Sequence, residues 1–220
     1  MTKENKKQLC KSIFMFVAFS LWTALISFAD VRAIGPNEST VGLATVNGFI
    51  RNFTGVNMCL YTVTDWLGLV PLAVVVGFAA VGLMQWIWRK DIKKVDYDIL
   101  VLGGFYVITM SVYILFENVV INYRPVLING ILEASYPSST TLLALCVMPT
   151  AIMQFKVRIK NSILKKSVIA LFYLFTVFMV ICRLISGVHW LTDIVGGILL
   201  STALVMLYRF AVNLKDNRKI

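Results

Sequence analysis

The amino-acid sequence predicts an all-α integral membrane protein: a six-helix bundle with both termini in the cytoplasm and short interfacial helices in the first outer loop. Three observations predict it. Hydrophobic residues are 59% of the 220 and charged residues only 15%, a balance typical of membrane proteins. The apolar residues gather into runs at about 12–29, 67–88, 97–116, 138–155, 167–183 and 189–210, each near the ~20 residues that cross a bilayer as a helix. The basic residues then orient the runs. With the N-terminus inside, the inner segments hold Lys3, Lys6, Lys7, Lys11, Arg89, Lys90, Lys93, Lys94, Lys156, Arg158, Lys160, Lys165, Lys166, Arg209, Lys215, Arg218 and Lys219, which is 17 of the 21. Only Arg32, Arg51, Arg124 and Arg183 stay outside. This positive-inside asymmetry accounts for the net charge of +10 without a nucleic-acid partner, and it faces the anionic heads of membrane lipids.

The elements follow in order. The run from Ser12 to Ala29 is preceded by lysines, as in a secretory signal, but it is long for a cleaved one and reads as an uncleaved span. One domain covers 1–220, divided into the first span with its outer interfacial segment (1–66), a core (67–212) and a cytoplasmic tail (213–220). Gly35-Pro36-Asn37-Glu38-Ser39-Thr40 predicts a turn and then a helix cap. Val41 to Tyr61, with Phe49, Ile50, Phe53 and Leu60, predicts one or two short helices lying in the interface. The inner loops are short and basic, so neighbouring helices form antiparallel hairpins, whereas the outer loop 117–137 is longer. Pro149 is expected to kink the fourth span, and Gly196-Gly197 to admit a neighbour closely. Trp66, Trp86, Trp88 and Trp190 fall near span ends, where interfacial tryptophans belong. Cys10, Cys59, Cys146 and Cys182 form no CxxC pair or Cys/His cluster, so neither a disulfide framework nor a metal site is expected.

Chemistry concentrates at the outer edge. His189 is the single histidine, and Asp193 follows it by four residues, a spacing that would put both on one face of a helix. A carboxylate that orients an imidazole, with a cation beside it, prepares the ring as a nucleophile or base for an anionic substrate. Arg183 ends the fifth span, Arg124 precedes the fourth, and Ser138, Ser139 and Thr140 open the fourth after Pro137. Ionisable groups at membrane depth are costly and mark function. A helix start with free N–H groups suits phosphate, and two arginines add bidentate donors.

These residues resemble the type 2 phosphatidic acid phosphatase family, which is related to vanadium-dependent haloperoxidases. Its first motif, Lys-x6-Arg-Pro, aligns with Glu117-Asn118-Val119-Val120-Ile121-Asn122-Tyr123-Arg124-Pro125. Its second, Pro-Ser-Gly-His, aligns with Pro137-Ser138-Ser139-Thr140. Its third, Ser-Arg-x5-His-x3-Asp, aligns with Cys182 to Asp193 and keeps Arg183, His189 and Asp193. The resemblance covers about 67–210. It implies a lipid phosphatase at the outer membrane face that needs no metal or other cofactor. His189 would form a phosphohistidine with Asp193 as its orienter. Arg124, Arg183, Ser138, Ser139 and Thr140 would bind phosphate. A lateral opening would admit lipid tails.

Two positions depart from the family. Glu117 stands where the family has lysine, and Thr140 where it has the histidine that protonates the leaving group. Glu117 could pair with Arg124 or Arg183, or act as the acid if burial protonated it. Losing general-acid help costs about 10²–10⁴ in rate. A weakly basic phosphate leaving group needs that help less than an alkoxide does. The expected substrate is therefore a polyprenyl diphosphate, of undecaprenyl type, ahead of phosphatidic acid or phosphatidylglycerol phosphate. The alternatives are a member that binds lipid phosphate without hydrolysing it, or one that transfers the phosphoryl group to an acceptor other than water. A transporter is a third reading, which the lack of charge at mid-span disfavours. Short loops and no further domain suggest a bacterial cell membrane.

Overall fold

The computed structural model describes residues 2–214; the tail expected beyond them lies outside the described residues. Among the described residues, six candidate membrane spans appear, each apolar and long enough to cross a bilayer. They are α1 (Lys3–Phe28), the joined pair α3 (Met58–Leu67) and α4 (Leu69–Arg89), α5 (Tyr97–Asn118), α6 (Ser139–Arg158), α7 (Ser162–Ile185) and α8 (Leu191–Asn213). The interfacial α2 (Ala44–Thr54) precedes α3. α6 and α8 are the most buried helices, while α1, α4 and α7 turn most of their surface outward. That division follows composition. Thr141, Thr150, Gln154 and Ser201 sit on the two inner helices, where they are buried, and the outward faces carry leucine, valine and phenylalanine that lipid can solvate.

The segment 30–43 corrects one expectation. No helix cap forms at Ser39 or Thr40. Instead β1 (Arg32–Ala33) pairs antiparallel with β2 (Thr40–Val41) around a 3₁₀ turn at Pro36–Glu38, and α2 begins at Ala44. A hairpin satisfies the backbone of this short segment without extending a helix. Of the expected short helices α2 stands apart, whereas α3 runs on into α4 as part of the second span; Phe49 and Phe53 of α2 and Trp66 of α3 are exposed.

Trp190 is the second correction. Trp66, Trp86 and Trp88 are exposed near span ends, but Trp190 is only 1% exposed. Its indole N–H donates to the Tyr123 carbonyl at 2.7 Å, so the ring anchors the α5–α6 loop and is no interfacial belt residue. Gly196 permits a close approach as expected, since a Cβ there would lie 2.4 Å from the Tyr136 ring. Tyr136 stacks on Phe19 of α1, and its hydroxyl meets Thr23 Oγ1 at 2.7 Å. The residues just before α6 are thereby wedged between α1 and α8. A Cβ at Gly103 or Gly104 would meet nothing within 4 Å, so neither position requires glycine for a close helix contact. At the far end, Arg89 and Arg158 hold Asp96, with Arg158 also on Asp98. The hydrogen bond from Arg89, supported by Arg158 and Gln85, draws the Asp96 carboxyl down to about 2. This cluster ties α4, α5 and α6 together.

Candidate active site

The site lies at the end of the bundle where α5 and α7 finish and α6 and α8 begin. Two close approaches build it. The Gly187 backbone, at φ +67°, comes so near Gly55 that a Cβ would lie 1.9 Å from the Gly55 carbonyl oxygen. The Asn57 amide also donates to the Ser186 carbonyl at 3.0 Å. The α2–α3 turn is thus stitched to the α7–α8 turn. From α2, the Asn47 side chain donates to Thr192 Oγ1 at 3.0 Å and accepts from the Thr192 amide at 3.3 Å, fixing the start of α8.

The α8 boundary corrects the helix-face argument. His189 precedes the helix, and Asp193 lies in its first turn. Asp193 folds back so that Oδ2 accepts from the Trp190 amide at 2.9 Å, as an acidic residue at the third helical position does. The same oxygen accepts from Ser135 Oγ at 2.7 Å, and Oδ1 from Asn122 Nδ2 at 3.5 Å. Asp193 Oδ2 stands 3.7 Å from His189 Nδ1. The carboxylate is therefore pinned beside the ring, beyond hydrogen-bond length.

His189 is buried, and both ring nitrogens lack a hydrogen-bond partner. Burial holds its pKa well below 6.5, and the charges of Arg124 and Arg183 push the same way. The ring should stay neutral, with its lone pair free, through the range where an ordinary histidine protonates. Ring carbon NMR of the single histidine can follow this without assignment. We expect no protonation as pH falls through 6.5, and an upward shift when orthovanadate binds. A midpoint at or above the ordinary value in anion-free protein would contradict the geometry.

Both arginines converge on the histidine. Arg183 is 1% exposed. Its Nη1 donates to Thr64 Oγ1 at 3.2 Å, and its Nη2 lies 3.5 Å from Asp65. Arg124 lies 3.0 Å from Glu133 through Nε. The Tyr61 ring sits under both guanidinium groups, at 4.9 Å from Arg183 and 5.9 Å from Arg124. Ser138 is the N-cap of α6, and its amide donates to the Asp193 carbonyl at 3.1 Å. Its hydroxyl has no partner. Ser139 and Thr140 fill the first turn of α6 and are half-buried, where helix amides lack internal acceptors. Thr140 also packs towards Gly68 at the α3–α4 junction.

Glu117 is exposed and pairs with neither arginine. Both expectations for it fail: Glu133 and Asp65 take the arginines, and the end of α5 offers no burial. It lines a small cavity together with Tyr113, Ser139 and His189.

Sequence reasoning missed Asn122, Ser135, Tyr61, Thr64, Asp65 and Glu133. One signal was present. Asn129-Gly130, both at positive φ between paired Ile128 and Ile131, is a two-residue hairpin turn. It folds the α5–α6 loop so that Asn122 and Ser135 lie side by side, with the Ser135 amide on the Asn122 carbonyl at 2.9 Å. No local signal ties α3 to Arg183, 119 residues on from Thr64.

Fold and site together define a multi-pass membrane protein with a buried histidine, an adjacent carboxylate and two buried arginines converging at one end of its bundle. The chain belongs to the PAP2 superfamily, whose family model matches residues 10–216. No curated protein matches it. A solved structure with the same fold is the transmembrane PAP2-type phosphatidylglycerolphosphate phosphatase from Bacillus subtilis. It is 22% identical, with a TM-score of 0.57 over 96% of this chain and 97% of that one.

Proposed function

We propose that this protein is a lipid phosphatase working at the extracytoplasmic face of a cell membrane through a phosphohistidine on His189. One observation carries the reading. Among the described residues, nine buried side-chain polar atoms lack a hydrogen-bond partner, and seven belong to Arg124, Ser138, Thr141, Arg183 and His189. An unpaired buried polar group costs about 1–3 kcal/mol. Such a cluster of donors is tolerable where a bound anion will satisfy it. The basic residues at the opposite end support the outward orientation and cytoplasmic termini.

The chemistry follows. Arg124, Arg183, Ser138 and the first amides of α6, at Ser139 and Thr140, hold the phosphate oxygens. His189 Nε2 attacks phosphorus, forming a P–N bond as the P–O bond to the leaving group breaks. Asp193, beside Nδ1, offsets the charge gained by the ring. Water then attacks phosphorus, breaking the P–N bond, and inorganic phosphate leaves. Thr140 offers no proton to an alkoxide near neutral pH. A polyprenyl diphosphate, which releases a weakly basic lipid phosphate, is the favoured substrate over phosphatidic acid.

The test is phosphate release in detergent micelles from a long-chain prenyl diphosphate and from phosphatidic acid. The expected result is release from both, faster from the diphosphate. Equal turnover would sink the leaving-group argument. Thr140 and Glu117 favour a second reading, a protein that binds lipid phosphate without cleaving it. No release with retained binding would select that one.

A further inference from the structure

Each arginine of the site already holds a carboxylate, and the two pairs share an asymmetry. The Arg183 side chain is 1% exposed and its partner Asp65 56%. The Arg124 side chain is 9% exposed and its partner Glu133 39%. The cations are walled in by Tyr61, Thr64 and the α7–α8 turn, whereas both acids reach water. Neither pair is tight. Asp65 is at 3.5 Å, and Arg124 Nε faces Glu133 without the alignment of a hydrogen bond. Water reaches the acid of each pair and weakens its hold on the arginine. The arginines cannot leave, and the carboxylates can do so at small cost.

We propose that Asp65 and Glu133 are resident counter-ions that select substrates by charge. An incoming phosphate must displace both from Arg183 and Arg124. A terminal phosphate carries about −1.5 to −2 at neutral pH and replaces the two carboxylates charge for charge. A phosphodiester head group carries a single charge and cannot neutralise both arginines. The surrounding bilayer presents phosphodiester lipids at high local concentration. The two acids keep those head groups out, while terminal phosphates and diphosphates enter. Asp65 comes from α3 and pairs with Arg183, while Glu133 shares the 119–138 loop with Arg124 and pairs with it, so each acid guards one cation.

This rests on the phosphate-binding reading above. The experiment is calorimetric titration of inorganic phosphate into the full chain in non-ionic micelles, with and without added phosphatidylglycerol. It compares wild type, His189→Ala, and the double variant Asp65→Asn/Glu133→Gln, with thermal stability measured alongside. In plain micelles the double variant should bind phosphate about three- to tenfold more tightly than wild type. Phosphatidylglycerol should weaken phosphate binding in the double variant and leave wild type unchanged. Unchanged or weaker phosphate binding in a folded double variant, or equal sensitivity of both proteins to phosphatidylglycerol, overturns the proposal. Wild type and His189→Ala both failing to bind phosphate would instead overturn the site itself. Because the side chains are exposed and replaced by isosteres, loss of folding is not expected. The single variant Glu133→Gln gives half the effect if the pair proves unstable.

Discussion

Replacing His189 with alanine abolishes phosphate release, by ~10⁴-fold or more, while lipid-phosphate binding survives. Removing a covalent nucleophile commonly costs that much or more, because the groups that act with it are then idle. Binding persists because Arg124, Arg183 and Ser138 are untouched. Stability should also survive. Neither ring nitrogen of His189 has a partner at hydrogen-bond geometry, and Asp193 keeps its contacts to Ser135, Trp190 and Asn122. Release, phosphate-analogue binding and thermal midpoint together separate a lost nucleophile from a lost fold. Release within tenfold of wild type from the alanine variant would rule His189 out as nucleophile.

The second large effect is a gain. Thr140→His should raise turnover of phosphatidic acid by up to about 10²–10⁴, the usual worth of a general acid. The prenyl diphosphate should change by less than about tenfold, since its leaving group needs little protonation. Thr140 lies in the first turn of α6, one residue beyond Ser139, which lines the small cavity beside His189. An imidazole there enters beside the leaving group. The Thr140 methyl it replaces packs towards Gly68, which has no side chain. Thr140→Ala is the control and should alter both substrates little. Equal gains on both substrates would show that the new ring acts on binding, and no gain on either would show that proton supply does not limit this protein.

The membrane fold was legible in the chain because the bilayer imposes it. A span needs about 20 apolar residues whose backbone is satisfied internally, and that demand is written locally in six runs. Three of the site's members were legible for a similar reason. Arg183, His189 and Asp193 fall within eleven residues of one turn and helix start, so their spacing nearly determines their meeting. Arg124 and Ser138 were found by depth, since both adjoin a span end.

What sequence alone determined about this protein is therefore its six apolar spans, its charge asymmetry and the short motifs that hold the candidate site residues. Each is a property of a short segment or of a bilayer that reads segments one at a time. Only the tertiary structure decided how those groups are held. It put His189 in a turn ahead of α8 and closed Asp193 with Asn122 and Ser135 from a hairpin. It buried Trp190 as an anchor, and it gave Arg183 and Arg124 to Asp65 and Glu133 while leaving Glu117 unpaired. Such partners meet across 9 to 119 residues of chain. They are chosen by which helix ends the packed core brings together, through contacts such as Gly187 on Gly55 that no local pattern encodes.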